Sequence, residues 1–216
     1  MSNDHEEEGN AHAMGETDDA HFQKSLVLHE LWLRTLGHEG SQLDLDGADL
    51  RGLDLSGKNL SEAILPRAIL DGANLADVDF YGALLMEASM TGANLSGAQL
   101  RKARLDDAIL RGANLRGVRA TRVSLWDTDL SGADLTGADL GGASVRGANL
   151  TKAILRDADL GSTNLTSARL HGADLRGAKG LDSAQVEWID VGTDEHPIKL
   201  VGDEAREWLV AHAERG

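Results

Sequence analysis

The chain has 216 residues with 41% hydrophobic content, enough for one domain with short flanks, but only 3% aromatic residues, which points to a core narrow enough for Leu and Ala to fill. It contains no Cys, which excludes disulfides and thiolate metal sites, and no apolar run of membrane-spanning length. The formal net charge of −15 is unevenly placed: residues 1–20 hold seven acidic and no basic side chains, residues 21–42 balance, residues 43–180 sum to −2 and residues 181–216 to −6.

In chain order, residues 1–20 are polar, acidic and without periodicity, and are expected to form a disordered, solubilising tail, with recruitment of a partner as the sharper alternative. This acidic start does not read as a secretory signal, so a cytoplasmic protein is the default expectation. His5, His12 and His21 lack the close, mixed-ligand spacing of a metal site and are expected to be solvated. Over residues 21–42, the spacing of Phe22, Leu26, Leu28, Leu31, Trp32 and Leu36 predicts a helix from His21 to Leu36, with Gly37 as its stop.

From residue 43 to residue 180 a five-residue unit recurs without a break, roughly 28 copies in register. A Leu or similar residue stands at every fifth position from Leu45 to Leu175, interrupted by Phe80, Met90, Ala120 and Val145, and a small residue, usually Ala, stands two positions earlier. Neither a 3.6-residue helix nor a flat strand repeats in five, so a chain that keeps Leu and Ala on one side must turn a corner in every unit. Gly occupies the fifth position at many units from Gly47 to Gly177, where the backbone bends at low steric cost.

Units such as Ala133-Asp134-Leu135-Thr136-Gly137, Ala138-Asp139-Leu140-Gly141-Gly142 and Ala148-Asn149-Leu150-Thr151-Lys152 resemble the A(D/N)LXX motif of the pentapeptide-repeat family. That resemblance implies an all-β solenoid, a right-handed quadrilateral parallel β-helix with four units per coil. It implies about seven coils stacked at roughly 4.8 Å, a rod on the order of 34 Å long. An open solenoid end exposes unpaired backbone groups, so the helix of residues 21–42 is expected to cap the coil, with a partner-binding helix as the alternative.

Four-fold coiling places residues 20 apart above one another, so surface columns can be read from the sequence. Ile64, Pro66, Leu84 and Met86 are expected to form an exposed apolar patch on adjacent coils, with Trp126 two coils further on. A flanking segment or a second chain could cover that patch as well as a foreign partner. Ile69, Ile109 and Ile154 stand alone on other faces. A basic belt gathers Arg101, Lys102, Arg104, Arg119 and Arg122, with Arg111 and Arg116 nearby, against only Asp106 and Asp107. It reads first as a solvated belt, and second as a site for an acidic partner, a phosphate or the chain's own acidic tail. No aromatic residues interleave it, so direct nucleic-acid binding is not expected.

Beyond residue 180 the register ends. Residues 181–216 are expected to carry a short helix from Asp182 and Ser183 through Val186 and Trp188, a break at His196-Pro197, and a last helix capped by Asp203. This segment reads as a C-terminal cap, and the family resemblance adds dimerisation with Trp188 and Trp208 as anchors; Trp188, Trp208 and Leu209 are the candidate cap or dimer residues.

No nucleophile elbow, phosphate loop, zinc pattern or dinucleotide fingerprint appears, and the outward Asp residues belong to the repeat. The expectation is a protein without catalysis, cofactor or metal. The leading reading is an interaction scaffold that docks another protein on a rigid face. The alternative implied by the resemblance is a DNA mimic that occupies the basic saddle of a type II topoisomerase such as gyrase and protects it from quinolone-like poisons. Mimicry needs acidic columns, whereas residues 43–180 sum to −2 and the register has no inserted loops.

Overall fold

A computed structural model describes residues 16–214, and side chains from residue 20 onward. The described residues fall into two compact units that divide after residue 43. In the first unit, helix α1 spans Glu16–Arg34. It therefore begins five residues before the expected start, and residues 16–20 are helical rather than disordered. The acidic run that reads as tail sits well in a first helical turn, where the macrodipole favours negative charge. The rest of the expected tail, with His5 and His12, lies outside the described residues; His21 is exposed. The helix ends in a positive-φ pair, Leu36 and Gly37, and the Gly37 N–H donates to Trp32 O at 2.9 Å. The chain then doubles back along α1: Ser41 N–H donates to Leu28 O, and Leu43 N–H donates to Nδ1 of buried His29 at 3.0 Å. No described helix is long and apolar enough to cross a membrane.

The second unit is built on parallel bridges that pair each outward residue with the one 20 positions on, from Asp44↔Ile64 to Asp159↔Lys179. Four bridge columns, led by Asp44, Asp49, Asp54 and Asn59, alternate every five residues, so each coil has four sides and 20 residues. The Leu and Ala positions are buried along almost the whole coil, with Phe80 and Met90 filling Leu positions. Two inner small positions are Thr rather than Ala. Thr128 and Thr163 are fully buried, and each hydroxyl donates at 2.8 Å to the carbonyl of an inner Leu, Leu105 and Leu140, on the preceding coil.

The motif's Asp or Asn has a structural reason. In the unit around Phe80, the N–H groups of Phe80, Gly82, Ala83 and Leu84 all donate to backbone carbonyls. The remaining N–H, of Tyr81 at the first corner position, donates to Asp79 Oδ1 at 2.9 Å. The same two-residue reach recurs at Asp134 to Thr136, Asp139 to Gly141 and Asn164 to Thr166. Side-chain ladders reinforce the column led by Asp54, where Asn74, Asn94 and Asn114 each donate to the residue one coil before.

The second corner position has positive φ at every unit from Gly47 to Gly177; fifteen of these corners are Gly and twelve are not. The left-handed conformation is thus imposed by the coil, and residues such as Glu87 and Lys152 adopt it despite their Cβ atoms.

At the C-terminal end the ladder continues beyond the repeats with a slip of one residue: Asn164 pairs with Gln185 and Arg169 with Asp190, both 21 apart. The helix expected through Val186 and Trp188 is instead strand β1, Trp188–Asp190, paired antiparallel with β2, Lys199–Val201. Burial of Ile189 between half-buried Trp188 and Asp190 follows strand alternation, which a short apolar run does not distinguish from a helix. Helix α2 spans Asp203–Ala213, with Gly202 rather than Asp203 at the N-cap position. It buries Ala205 and Leu209, and its Ala213 O accepts from Gly177 N–H on the last repeat corner at 2.9 Å.

Gly112 has φ +61° and open space where a Cβ would stand. Gly112→Ala is therefore expected to lower stability by about 1–2 kcal/mol through conformation alone. Lys152→Gly, at φ +59°, is expected to leave stability unchanged or raise it. Urea midpoints of the two variants check the order, and the reverse order would contradict a coil-imposed left-handed corner.

Candidate docking faces of the coil

The column led by Asp44 runs through Ile64, Leu84, Arg104, Ser124, Ser144 and Asn164 as successive bridge partners. Beside it stand Asp46, Pro66, Met86, Asp106, Trp126, Arg146 and Thr166; Pro66, Met86 and Trp126 accept from Gly47, Arg67 and Asp107 of the preceding coil. Ile64, Pro66, Leu84 and Met86 therefore meet on adjacent coils, and Trp126 lies two coils on. The four are half-buried rather than fully exposed, because side chains stacked at coil spacing cover one another. Trp126 is 50% exposed, and its Nε1–H donates to Ser144 Oγ. Its indole lines a cleft of about 470 Å³ with Asp127, Arg146, Gly147 and Ser167.

The repeat's corner rule lapses on this face, as it also does at Ile69, Ile109 and Ile154 on other faces. Ile64 needs no acceptor for residue 66, because Pro66 has no N–H. Leu84 and Arg104 offer no acceptor either, and Trp126 N–H turns instead to Asp106 Oδ1 of the coil before, at 3.3 Å. Residue choice at 64, 84 and 104 is thus not dictated by the turn.

The basic belt separates into two groups. Arg104, Arg111 and Arg116 form ion pairs with Asp106, Asp129 and Asp134. Among the described residues no carboxylate pairs with Arg101, Lys102, Arg119 or Arg122. Three of these, Arg101, Lys102 and Arg122, line a cleft of about 420 Å³ together with Thr121 and Gly141. Contrary to the expectation that no aromatic residue interleaves the belt, Tyr81 sits one coil before Arg101. Lys102 Nζ donates to Tyr81 Oη at 2.9 Å and lies 5.3 Å from its ring centroid, with the Arg101 guanidinium at 5.9 Å. The signal was present in the 20-residue column arithmetic.

Some of the outward acids are paired with Arg, among them Asp129, Asp134 and Asp174. Asp174 is held by Arg176 at 2.6 Å and Arg156 at 2.5 Å. The hydrogen bond from Arg176, reinforced by Arg156, keeps its carboxyl well below the usual carboxylate range against a smaller opposing effect of burial. At Asp129 and Asp134, burial alone would raise the value, but hydrogen bonds from Arg111 and Ser131, and from Thr136 and Arg116, lower it overall.

In the C-terminal segment, Leu209 is fully buried against the coil end and is not available to a second chain. Trp188 is half-buried with Lys199 Nζ at 4.2 Å from its ring, and Trp208 stacks on His212 at 3.8 Å. Ile198 and Val201 of the β1–β2 hairpin are more than half exposed. No cluster of His, Asp and Glu suited to a metal ion occurs among the described residues.

The family model for pentapeptide repeats matches this chain in eight copies, over residues 44–82, 68–107, 108–147 and 146–179. Among solved structures, the chain is similar to HetL, a pentapeptide repeat protein involved in heterocyst differentiation regulation from the cyanobacterium Nostoc sp. strain PCC 7120. Identity is 30%, covering 75% of this chain and 95% of HetL, with a TM-score of 0.38. It is similar to QnrB1, a plasmid-mediated fluoroquinolone resistance protein, at 19% identity over 64% of this chain and 89% of the other, with a TM-score of 0.43. A pentapeptide repeat protein of the Arabidopsis thaliana thylakoid lumen shares 37% identity over 52% of this chain and 72% of its own, with a TM-score of 0.22. No curated protein matches.

Because the carboxyls of Asp129, Asp134 and Asp174 are all depressed in the folded chain, the stability they add is fully present above the ordinary Asp value of about 3.9. It is lost as pH falls through their lower folded values. Thermal midpoints followed by circular dichroism are expected to be flat from about pH 7 to pH 5 and to drop below about pH 4. Arg156→Gln with Arg176→Gln is expected to make that acid drop shallower; an unchanged slope would remove the ion pairs as its cause.

Proposed function

Because the chain belongs to the pentapeptide-repeat family, we propose that it works as a non-catalytic scaffold that docks another protein on the outer face of its coil. The 20-residue ladder supports the family's right-handed quadrilateral β-helix of about seven coils as the support for that face. The observation that carries the reading is the Asp44-led face: Ile64, Leu84, Pro66 and Met86 cluster on adjacent coils, with half-exposed Trp126 two coils on, where the corner does not dictate apolar residues. A rigid coil presents them without an ordering cost, and an aliphatic cluster and an aromatic anchor on one face suit an interface. If a homodimer also forms through residues 181–216, Trp188, Trp208, Ile198 and Val201 are the side chains with surface to offer, since Leu209 is buried.

The topoisomerase-binding alternative asks for a long acidic column. Here Asp129, Asp134 and Asp174 are paired with Arg, and the column led by Asn59 alternates Arg119, Asp139, Asp159 and Lys179. This charge pattern favours the scaffold over DNA mimicry.

Affinity capture with the intact chain as bait, beside the double variant Leu84→Glu and Met86→Glu, tests the proposal. Both side chains point outward, so the variant is expected to keep its circular dichroism spectrum and lose no more than about 1 kcal/mol of stability. The reading expects a retained partner to be lost from the variant. A partner held equally by both proteins would move the site elsewhere, and capture of gyrase or topoisomerase IV with protection in a supercoiling assay would replace the scaffold reading with the mimic.

A further inference from the structure

The strongest unexplained chemistry on the coil is the cleft of about 420 Å³ lined by Arg101, Lys102, Thr121, Arg122 and Gly141. Several other cations of this surface are matched by acids: Arg104, Arg111, Arg116, Arg156 and Arg176 each hold an Asp. In the cleft three cations converge, and none has a carboxylate partner among the described residues. Like charges at coil spacing repel, so leaving them unpaired costs stability unless an anion binds.

Two features keep the cleft formed. Tyr81 accepts the Lys102 hydrogen bond and lends its ring to both Lys102 and Arg101, which orients the cations without neutralising them. On the other side, the corner of the next coil is Gly141-Gly142, so no side chain fills the space outside it; a Cβ added at Gly142 would stand 3.6 Å from Arg122 Cγ. Asp139, the acid nearest this corner on its column, commits Oδ1 to the Gly141 N–H at 3.1 Å.

We propose that this cleft binds a phosphate group, with the guanidinium forks of Arg101 and Arg122, the Lys102 ammonium and the Thr121 hydroxyl as donors to its oxygens. A phosphate dianion offers three terminal oxygens to such a set, and guanidinium forks match its geometry. The compact cluster suits a single phosphate group more than a nucleic-acid backbone, which would need a cationic track. On the neighbouring coils the same corner carries Tyr81-Gly82 in one direction and Gly161-Ser162 in the other. The site is independent of the apolar docking face and stands or falls separately from it.

The test is a 1H–15N NMR titration of the full chain with inorganic phosphate, with a phosphoserine tripeptide, and with sodium chloride at matched ionic strength. Saturable shifts centred on residues 101–102, 121–122 and 141–142 are expected with the phosphate probes and not with chloride. Arg101→Gln with Arg122→Gln is expected to weaken binding about tenfold or more, whereas Arg116→Gln, outside the cleft and ion-paired, leaves it within about twofold. Tighter binding of the tripeptide assigns the group to a phosphorylated polypeptide, and equal binding assigns it to a free phosphate; both uphold the site. Non-saturable shifts, equal shifts with chloride, or an unchanged double variant with a native spectrum would overturn it.

Discussion

Everything in the coil depends on one requirement: a chain that turns four corners per coil around an apolar core must find a partner for every backbone N–H. The parallel ladder satisfies most of them, and one N–H at each corner is left over. The outward Asp or Asn exists to accept it, as Asp79 does for Tyr81 and Asp134 for Thr136. The motif is therefore a hydrogen-bonding rule before it is a surface. It lapses at Ile64, where Pro66 has no N–H and the backbone asks for nothing, and at Leu84 and Arg104, whose side chains offer the corner no acceptor.

Charge follows a parallel logic. The ladder stacks outward side chains at a spacing where like charges repel and unlike charges pair. Asp129, Asp134 and Asp174 meet guanidinium groups from the coil before, which neutralises those acids locally. Against that background the unmatched cations at Arg101, Lys102 and Arg122 and the half-exposed indole of Trp126 each line a cleft in the surface. Both flank the Asp44-led face, one at each of its edges.

The period of five made the inside and the columns legible without coordinates, since the residues sharing a column are fixed by counting in twenties. Burial of Leu and Ala, the positive-φ corners and the adjacency of Ile64 with Leu84 follow from that counting. Counting does not say which Arg turns toward which Asp, because long side chains choose partners by rotamer; seven basic residues thus read as one belt where the structure separates paired Arg104, Arg111 and Arg116 from the cleft. Outside the repeat, local signals compete. The acidic run at residues 16–20 serves a tail or a first helical turn equally well, and Val186 to Ile189 is too short for periodicity to distinguish strand from helix.

The ladder also sets two different grammars on one chain. The core is indifferent to which side of the square a unit occupies, so it tolerates change in steps of five residues. The outer surface is addressed in steps of twenty, because only a whole coil returns each residue to its own column. Duplication or loss of a single unit would leave the core packed and the corners hydrogen-bonded while turning every downstream face by a quarter turn. Lineages of such chains can therefore reshuffle what they display almost without disturbing what holds them together, and a display that works is inherited only through whole coils.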